Sequence, residues 1–439
     1  MSLKIAASLL AQRRFLPLMS AQALGAFNDN LFRYALVTLA TYQGLSVFGL
    51  DRGLMVPIAA TMLTLPIFLF SGVAGQVADR YDRTKIMRFA KFAEIFLMIG
   101  AAAGFLLNQP LILLGVLFLM GTQSAFFAPA RNSALPTLLT GRELVSGNAM
   151  VSGSLNIAIL IGAGLGTVLA VQGVTLGDQA MSGPAAISVI LVTIAVIGWI
   201  VMRQGSPAPA SNPDLKIEWN IAAVTWRILR FAATMPAVLR PLLGAAWFWM
   251  LAASIITLMP LFALEVLSAD ESVVLLFTVI FTLGAALGAV ACGLLSRGED
   301  ALAFTIAGAI GLVIFPVDIA LQTAGRTPGE LVDAVTFARD SANWRILIDL
   351  GLSAISAGLF VVPLQAMAQH RAPAEYRGRL LAAGGILNAA AATLGQFSLA
   401  GIGIFSLPLQ SAFLAIALVS AGAAAFAIWR LMRRNQKQL

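Results

Sequence analysis

Apolar residues run along this chain in unbroken stretches of twenty or more, separated by short polar groups. A helix rises 1.5 Å per residue, so about 20 apolar residues cross the hydrocarbon layer of a bilayer. The pattern predicts twelve spans, at 15–42, 53–74, 85–107, 110–133, 144–172, 183–203, 240–266, 272–296, 301–324, 346–369, 379–405 and 409–432. Between the sixth and seventh, Gly205-Ser206-Pro207-Ala208-Pro209-Ala210-Ser211-Asn212-Pro213 ends any span, because proline and glycine at this density break a helix. The predicted architecture is an all-α membrane protein of 12 transmembrane helices. A six-helix bundle over 1–203 and another over 240–439 are joined by a linker at 204–239.

The first span departs from its own pattern. It carries Asn28-Asp29-Asn30 and Arg33 near its middle. A charged side chain at the bilayer centre costs roughly 2.5–3.5 kcal/mol on insertion scales, so such groups face a bundle interior or a wet cavity. Asp29 and Arg33 are four apart and share a helix face; Gln22 lies two turns earlier on that face. Either the two charges neutralise each other and knit helices together, or they face a substrate. The second reading leads, since intramembrane charge points first to function.

Composition narrows the classes. The 439 residues are 59% hydrophobic and 11% charged, against about 25% charged in soluble proteins. One cysteine, Cys292, excludes an intrachain disulfide, and one histidine, His370 in a predicted loop, leaves no set for a histidine metal site or a Ser-His-Asp triad. No cofactor or metal is expected. The formal charge of +8 is a matter of topology. Most of the 28 Lys and Arg residues gather on one side of the spans, with Arg52, Arg326, Arg339 and Arg345 on the other. That bias places both termini in the cytoplasm and removes nucleic acid as a partner. Arg13-Arg14 precede a span too long for a signal peptide.

Two loops carry structure of their own. Residues 216–233 place Trp219, Trp226, Leu229 and Ala233 near one helix face, with Lys216, Arg227 and Arg230 elsewhere. This is an amphipathic helix on the cytoplasmic surface or a linker helix packed on the bundle. At 325–345, Thr327-Pro328-Gly329-Glu330 predicts a capped short helix across the outer mouth.

Gly75-Gln76-Val77-Ala78-Asp79-Arg80-Tyr81-Asp82-Arg83-Thr84-Lys85 joins spans 2 and 3. Gly75 allows close helix approach, Asp79 pairs with a basic residue near a helix N-terminus, and Arg80, Arg83 and Lys85 anchor to anionic headgroups. This resembles the loop signature of the major facilitator superfamily, departing from it in carrying Asp82 where the family has glycine. The resemblance implies the major facilitator fold and a cytoplasmic gate in which Asp79 engages Arg377 or Arg379 at the start of span 11. In span 5, Gly162-Ala163-Gly164-Leu165-Gly166 is a close-packing stripe and no dinucleotide loop.

The resemblance narrows further. Ala21-Gln22-Ala23-Leu24-Gly25-Ala26-Phe27-Asn28-Asp29-Asn30, Phe127-Ala128-Pro129-Ala130-Arg131, the loop 141–148 and Phe360-Val361-Val362-Pro363-Leu364-Gln365 are similar to the lysophospholipid transporter branch of that superfamily. It implies an inner-membrane flippase that carries lysophospholipids from the outer to the inner leaflet. It also implies a functional link to an acyltransferase, and the expected unit is a monomer.

The residues suit such a guest. Asp29 takes an ammonium, while Arg33, Asn28 and Asn30 take phosphate and glycerol hydroxyl. Gln123, Asn156, Gln365, Asn388 and Gln396 are further buried polar candidates, each as readily an interhelical hydrogen bond as a ligand. Trp247-Phe248-Trp249 lines a route for the acyl tail or forms a packing cluster. Lys91 and Glu94, within one turn, read as a local pair. The rival functions are a transporter of a soluble solute or drug, and a membrane-embedded lipid enzyme, for which no nucleophile or metal set is found.

Overall fold

A computed structural model describes residues 8–176, 179–295, 302–326, 329–373, 376–405 and 407–435. The long helices are α1 (Leu16–Tyr42), α2 (Arg52–Arg80), α3 (Arg83–Leu106), α4 (Pro110–Leu138), α5 (Gly141–Gln172) and α6 (Gly183–Arg203). After the linker helix α7 (Ile221–Ala233) come α8 (Pro236–Glu265), α9 (Glu271–Leu295), α10 (Leu302–Thr323), the short α11 (Ala334–Arg339), α12 (Ser341–Arg371), α13 (Arg377–Ile404) and α14 (Gln410–Asn435). Ten of these are long and apolar enough to cross a membrane. The two others expected to span are α1, whose polar centre lowers its hydropathy, and α14, whose apolar described part is Gln410–Gly422.

The chain divides into two compact units. One comprises Met1–Asp51 and Ala59–Arg227, the other Arg52–Ile58 and Ile228–Leu439. In the first, α1 packs on α5 and α6, and α3 on α4 and α6. In the second, α12 packs on α8, α9 and α10, while α13 lies on α8 and α14 on α10.

The glycine stripe of α5 explains the α1–α5 contact. A Cβ on Gly162 would strike the Phe27 carbonyl oxygen, and one on Gly166 the Leu31 carbonyl oxygen. Helices in lipid associate through such backbone approach, since apolar surface gains little by leaving lipid tails. Gly75 plays no such part: among the described residues, a Cβ there would meet nothing within 4 Å.

Helix ends differ from the expected spans where local caps extend them. The loop expected after residue 74 is mostly helical, because α2 runs to Arg80 and α3 starts at Arg83. Asp82 makes the break: its carboxylate accepts from the Lys85 backbone N–H at 3.0 Å, an N-cap that glycine would not supply. Asp82→Ala is expected to cost about 1 kcal/mol of stability, read as a lowered midpoint in thermal unfolding. His370 lies in the last turn of α12 and not in a loop. Around α11, the expected cap at Thr327-Pro328 lies outside the described residues. The described cap is Asp333, which accepts from the Thr336 backbone N–H at 2.7 Å. A two-stranded antiparallel hairpin, β1 (Val174–Leu176) with β2 (Gln179–Met181), pairs Val174 with Met181 between α5 and α6.

α5 begins earlier than expected because Thr140 and Glu143 form a capping box. The Thr140 backbone N–H and hydroxyl each donate to Glu143 Oε2 at 2.9 Å, and Arg14 Nη2 lies 2.7 Å from Oε1. These contacts, the Thr140 backbone N–H first, hold the Glu143 carboxyl below its ordinary range. With its folded pKa below the unfolded one, this stabilisation is full above the unfolded value, about 4.3, and fades as pH falls through the folded value. Glu143→Gln is therefore expected to lower the unfolding midpoint at neutral pH and to bring wild type and variant together in acid. Thermal scans across that range read both.

The linker is bound to the first unit. Arg83 donates its backbone N–H to the Ala208 carbonyl (2.9 Å) and Nη1 to the Pro209 carbonyl (2.6 Å). Thr84 Oγ1 donates to the Ser206 carbonyl at 2.6 Å, and Arg88 Nη2 to the Gly205 carbonyl at 2.7 Å. The Asn212 backbone N–H donates to the Asp79 carbonyl at 2.9 Å. In α7, Val224 and Ala232 are buried while Trp226 is 67% exposed; Trp219 precedes the helix and is 69% exposed. The helix thus starts later than expected, and its tryptophan points away from its packed face.

Candidate functional site

Within the first unit, a cavity of about 80 Å³ opens beside the centre of α1. Gln22, Gly25, Ala26 and Asp29 of α1 line it, with Lys91 and Glu94 of α3 and Gln123, Ser124, Phe127, Ala128 and Arg131 of α4. Two carboxylates and two basic side chains thus face one small space among apolar helices.

The four charges are held differently. Lys91 Nζ lies 2.6 Å from Glu94 Oε2, with both side chains about as dry as the core at 2% and 3% exposure. Glu94 accepts two further hydrogen bonds, from Gln123 Nε2 to Oε2 at 3.3 Å and from Asn28 Nδ2 to Oε1 at 3.5 Å. Lys91 Nζ sits 5.6 Å from the centre of the Phe127 ring. Gly25 makes room for the ammonium, since a Cβ there would collide with Lys91 Nζ. Asp29 is more open: the Ser124 hydroxyl donates to its Oδ2 at a long 3.4 Å. Arg131 donates through Nε and Nη2 to Asn132 Oδ1, at 3.0 and 2.7 Å. Gln22 Oε1 is buried and has no hydrogen-bond partner among the described residues.

Of the residues expected to bind, Gln22, Asp29 and Gln123 line this cavity. Asn28 stands behind it, wholly buried, donating to the Leu191 carbonyl at 3.0 Å as well as to Glu94. Asn30 and Arg33 are absent from the lining. Asn30 donates back to the Ala26 carbonyl (2.8 Å) and accepts from Arg33 Nη2 (3.1 Å), and the Arg33 guanidinium lies 4.8 Å from the Tyr34 ring centre. A helix turns 100° per residue, so a fourth residue drifts from the first, and a neighbouring amide captures Arg33. Asn156 and Gln365 are exposed, against the expectation of burial. Asn388 is half-buried in the second unit, with Oδ1 unpartnered among the described residues, and Gln396 is buried there.

Of the expected gate, Asp79 is exposed and accepts from Ser211 Oγ at 3.0 Å. Arg80 lies over the Tyr81 ring, Arg83 is buried in its linker contacts, and the Lys85 backbone meets Asp82. Arg379 stacks on Phe231 at 4.0 Å. The Arg377 side chain lies outside the described ones.

Residues 18–326, well over half of the chain, match the family described as Major Facilitator Superfamily. The chain belongs to the major facilitator superfamily. It is a multi-pass membrane protein of that fold, and its family is one of transporters. Among curated proteins it is similar to the "Lysophospholipid transporter LplT" of Shigella flexneri, 27% identical over 355 residues, covering 80% of this chain and 78% of that one. The protein of the same name from Serratia proteamaculans (strain 568) is 26% identical over 373 residues, covering 82% and 81%. Among solved structures, a POT family transporter in complex with 5-aminolevulinic acid aligns with a TM-score of 0.67 at 13% identity, over 93% of this chain and 95% of that one. A bacterial homolog of the human lysosomal transporter Spinster, inward-facing and unoccupied, aligns at 0.60 and 14% identity, over 95% of each. At these identities the structural likeness speaks to fold alone.

Proposed function

We propose that this protein transports lysophospholipids, such as lysophosphatidylethanolamine, from the outer to the inner leaflet of the bacterial inner membrane by alternating access. The observation that carries the reading is the cavity at Asp29. A carboxylate half-way along a membrane helix has, among the described residues, one long hydrogen bond, and it faces a space the size of a small polar group. Cationic and anionic side chains share that space, which suits a headgroup bearing an ammonium and a phosphate. The lysophospholipid transporters named above support the same reading over about four-fifths of the chain.

In this proposal Asp29 receives the ammonium, the acyl tail stays in apolar surroundings, and both termini are cytoplasmic. Asp79 engages the start of α13, at Arg377 or Arg379, during the cycle. The delivered lysolipid has a free hydroxyl, so an acyltransferase is the class of enzyme that consumes it.

The test is reconstitution. Proteoliposomes holding the full chain are expected to move fluorescent lysophosphatidylethanolamine between leaflets faster than empty liposomes, with no chemical change in the lipid. Uptake of a water-soluble compound without lysolipid movement would support a solute carrier instead. Conversion of the lipid would support an enzyme.

A further inference from the structure

The proposed ammonium site leaves the most deeply buried charges of the cavity unexplained. An ion pair taken out of water contributes little net stability, and an apolar pair of the same volume often serves as well. Lys91 and Glu94 nonetheless line the cavity with Asp29. Resting on the lysophospholipid reading, we propose that Lys91 is the phosphate ligand of this cavity and that Glu94 is its resident counter-anion, which the phosphate of the guest displaces.

Three observations converge on this. The first is donor count. An ammonium has three N–H groups, and among the described residues Glu94 Oε2 is the hydrogen-bond acceptor that Lys91 reaches. Two donors remain, and the Phe127 ring face at 5.6 Å stabilises charge without taking a hydrogen bond.

The second is what Glu94 keeps when Lys91 turns away. Gln123 and Asn28 both donate to it, at 3.3 and 3.5 Å. Asn28 is itself fixed by the Leu191 carbonyl. Displacement therefore leaves a carboxylate with two amide donors, in place of a stranded charge.

The third is placement. Gly25 faces the ammonium, and a Cβ built on Gly198 would lie 3.7 Å from Lys91 Cδ. The lysine stem is packed against two positions that carry no side chain, and Lys91 already lines the cavity, so the ammonium meets a guest there without a large movement.

The arrangement is a competition. Phosphate and Glu94 both seek the same ammonium, so removing the Glu94 charge favours the phosphate. It favours a net-anionic headgroup more than a zwitterionic one, because the cavity wall loses one negative charge. A pair that merely knits helices would show the reverse, with either single change weakening every ligand through loss of structure.

The experiment measures equilibrium binding to the purified full-length protein in nanodiscs. The probes are fluorescent lysophosphatidylethanolamine, lysophosphatidylglycerol and a monoacylglycerol of the same chain, which lacks phosphate. Glu94→Gln leaves the buried Lys91 ammonium without its counter-charge and is expected to bind lysophosphatidylglycerol at least about 10-fold more tightly, with a smaller gain for lysophosphatidylethanolamine. Lys91→Gln is expected to lose at least about 10-fold on both phospholipids and nothing on the monoacylglycerol. The double variant Lys91→Gln/Glu94→Gln replaces the pair with two neutral amides; it covers the case in which a single change prevents folding. It is expected to fold, bind the monoacylglycerol and lose the phospholipids like Lys91→Gln.

Equal losses on all three lipids, or no change on any, overturn the proposal while leaving lysolipid transport intact. A wild type that binds neither lysophospholipid overturns the transport reading and this inference with it. Soluble glycerophosphoethanolamine is the competitor: displacement of lipid at comparable concentration supports Lys91 as a phosphate ligand for a free phosphodiester. Failure to displace ties the phosphate to a lipid.

Discussion

Replacing Asp29 with asparagine is expected to reduce lysophosphatidylethanolamine movement in proteoliposomes by roughly 10–100-fold, the scale of losing one partner of a desolvated charge pair. The substitution keeps size and shape. It exchanges an acceptor-only carboxylate for an amide that presents donors to an ammonium. Stability is expected to change little, because among the described residues the carboxylate is held by one hydrogen bond, the long 3.4 Å contact from Ser124. Equal expression and an unshifted unfolding midpoint, together with lost movement, separate a binding role from a folding one. Arg33→Gln is the companion variant. Its guanidinium lies against Asn30 and Tyr34, outside the cavity, so a change under about 3-fold is expected. Normal transport by Asp29→Asn would remove the headgroup role.

Gly166→Leu is expected to prevent folding of the first unit. The added side chain would enter the Leu31 backbone of α1, where the colliding atom is a carbonyl oxygen held in its own helix. Overpacking a core with flexible side chains costs about 1–3 kcal/mol, and a rigid backbone wall yields less, so the cost belongs at or above that range. Size-exclusion profiles are expected to show aggregate in place of a single peak. Gly153→Ala in the same helix α5 is the control. Among the described residues its Cβ would meet nothing within 4 Å, and alanine favours helix by up to about 1 kcal/mol. That variant is expected to match or exceed wild type. Identical behaviour of the two variants would show that α1 and α5 do not touch along this stripe.

The long apolar runs made the helices readable, because in lipid each backbone group must be satisfied within its own helix. Asp29 was legible for the same reason: its cost in an apolar run singles it out. Its surroundings were less so. Lys91 and Glu94 read as a pair from their three-residue spacing, and they are one at 2.6 Å. Their convergence with Asp29 depends on the packing of α3 and α4 beside α1, which no local spacing encodes. Arg33 shows the opposite failure. Spacing placed it with Asp29, but a nearer amide and ring hold it. Asn156 and Gln365 show that a polar residue in a span fixes neither its burial nor its orientation. Asp82 is different again: it stands where the family has glycine, and it caps the helix that follows.

The run of prolines at 207–213 suggests a natural place to divide the gene, yet the carbonyls of Gly205, Ser206, Ala208 and Pro209 serve Arg83, Thr84 and Arg88. Half-genes cut before Gly205 would expose those three side chains on the first fragment. A junction placed past Asn212 keeps them satisfied, so split-protein complementation and reporter insertion belong on that later side.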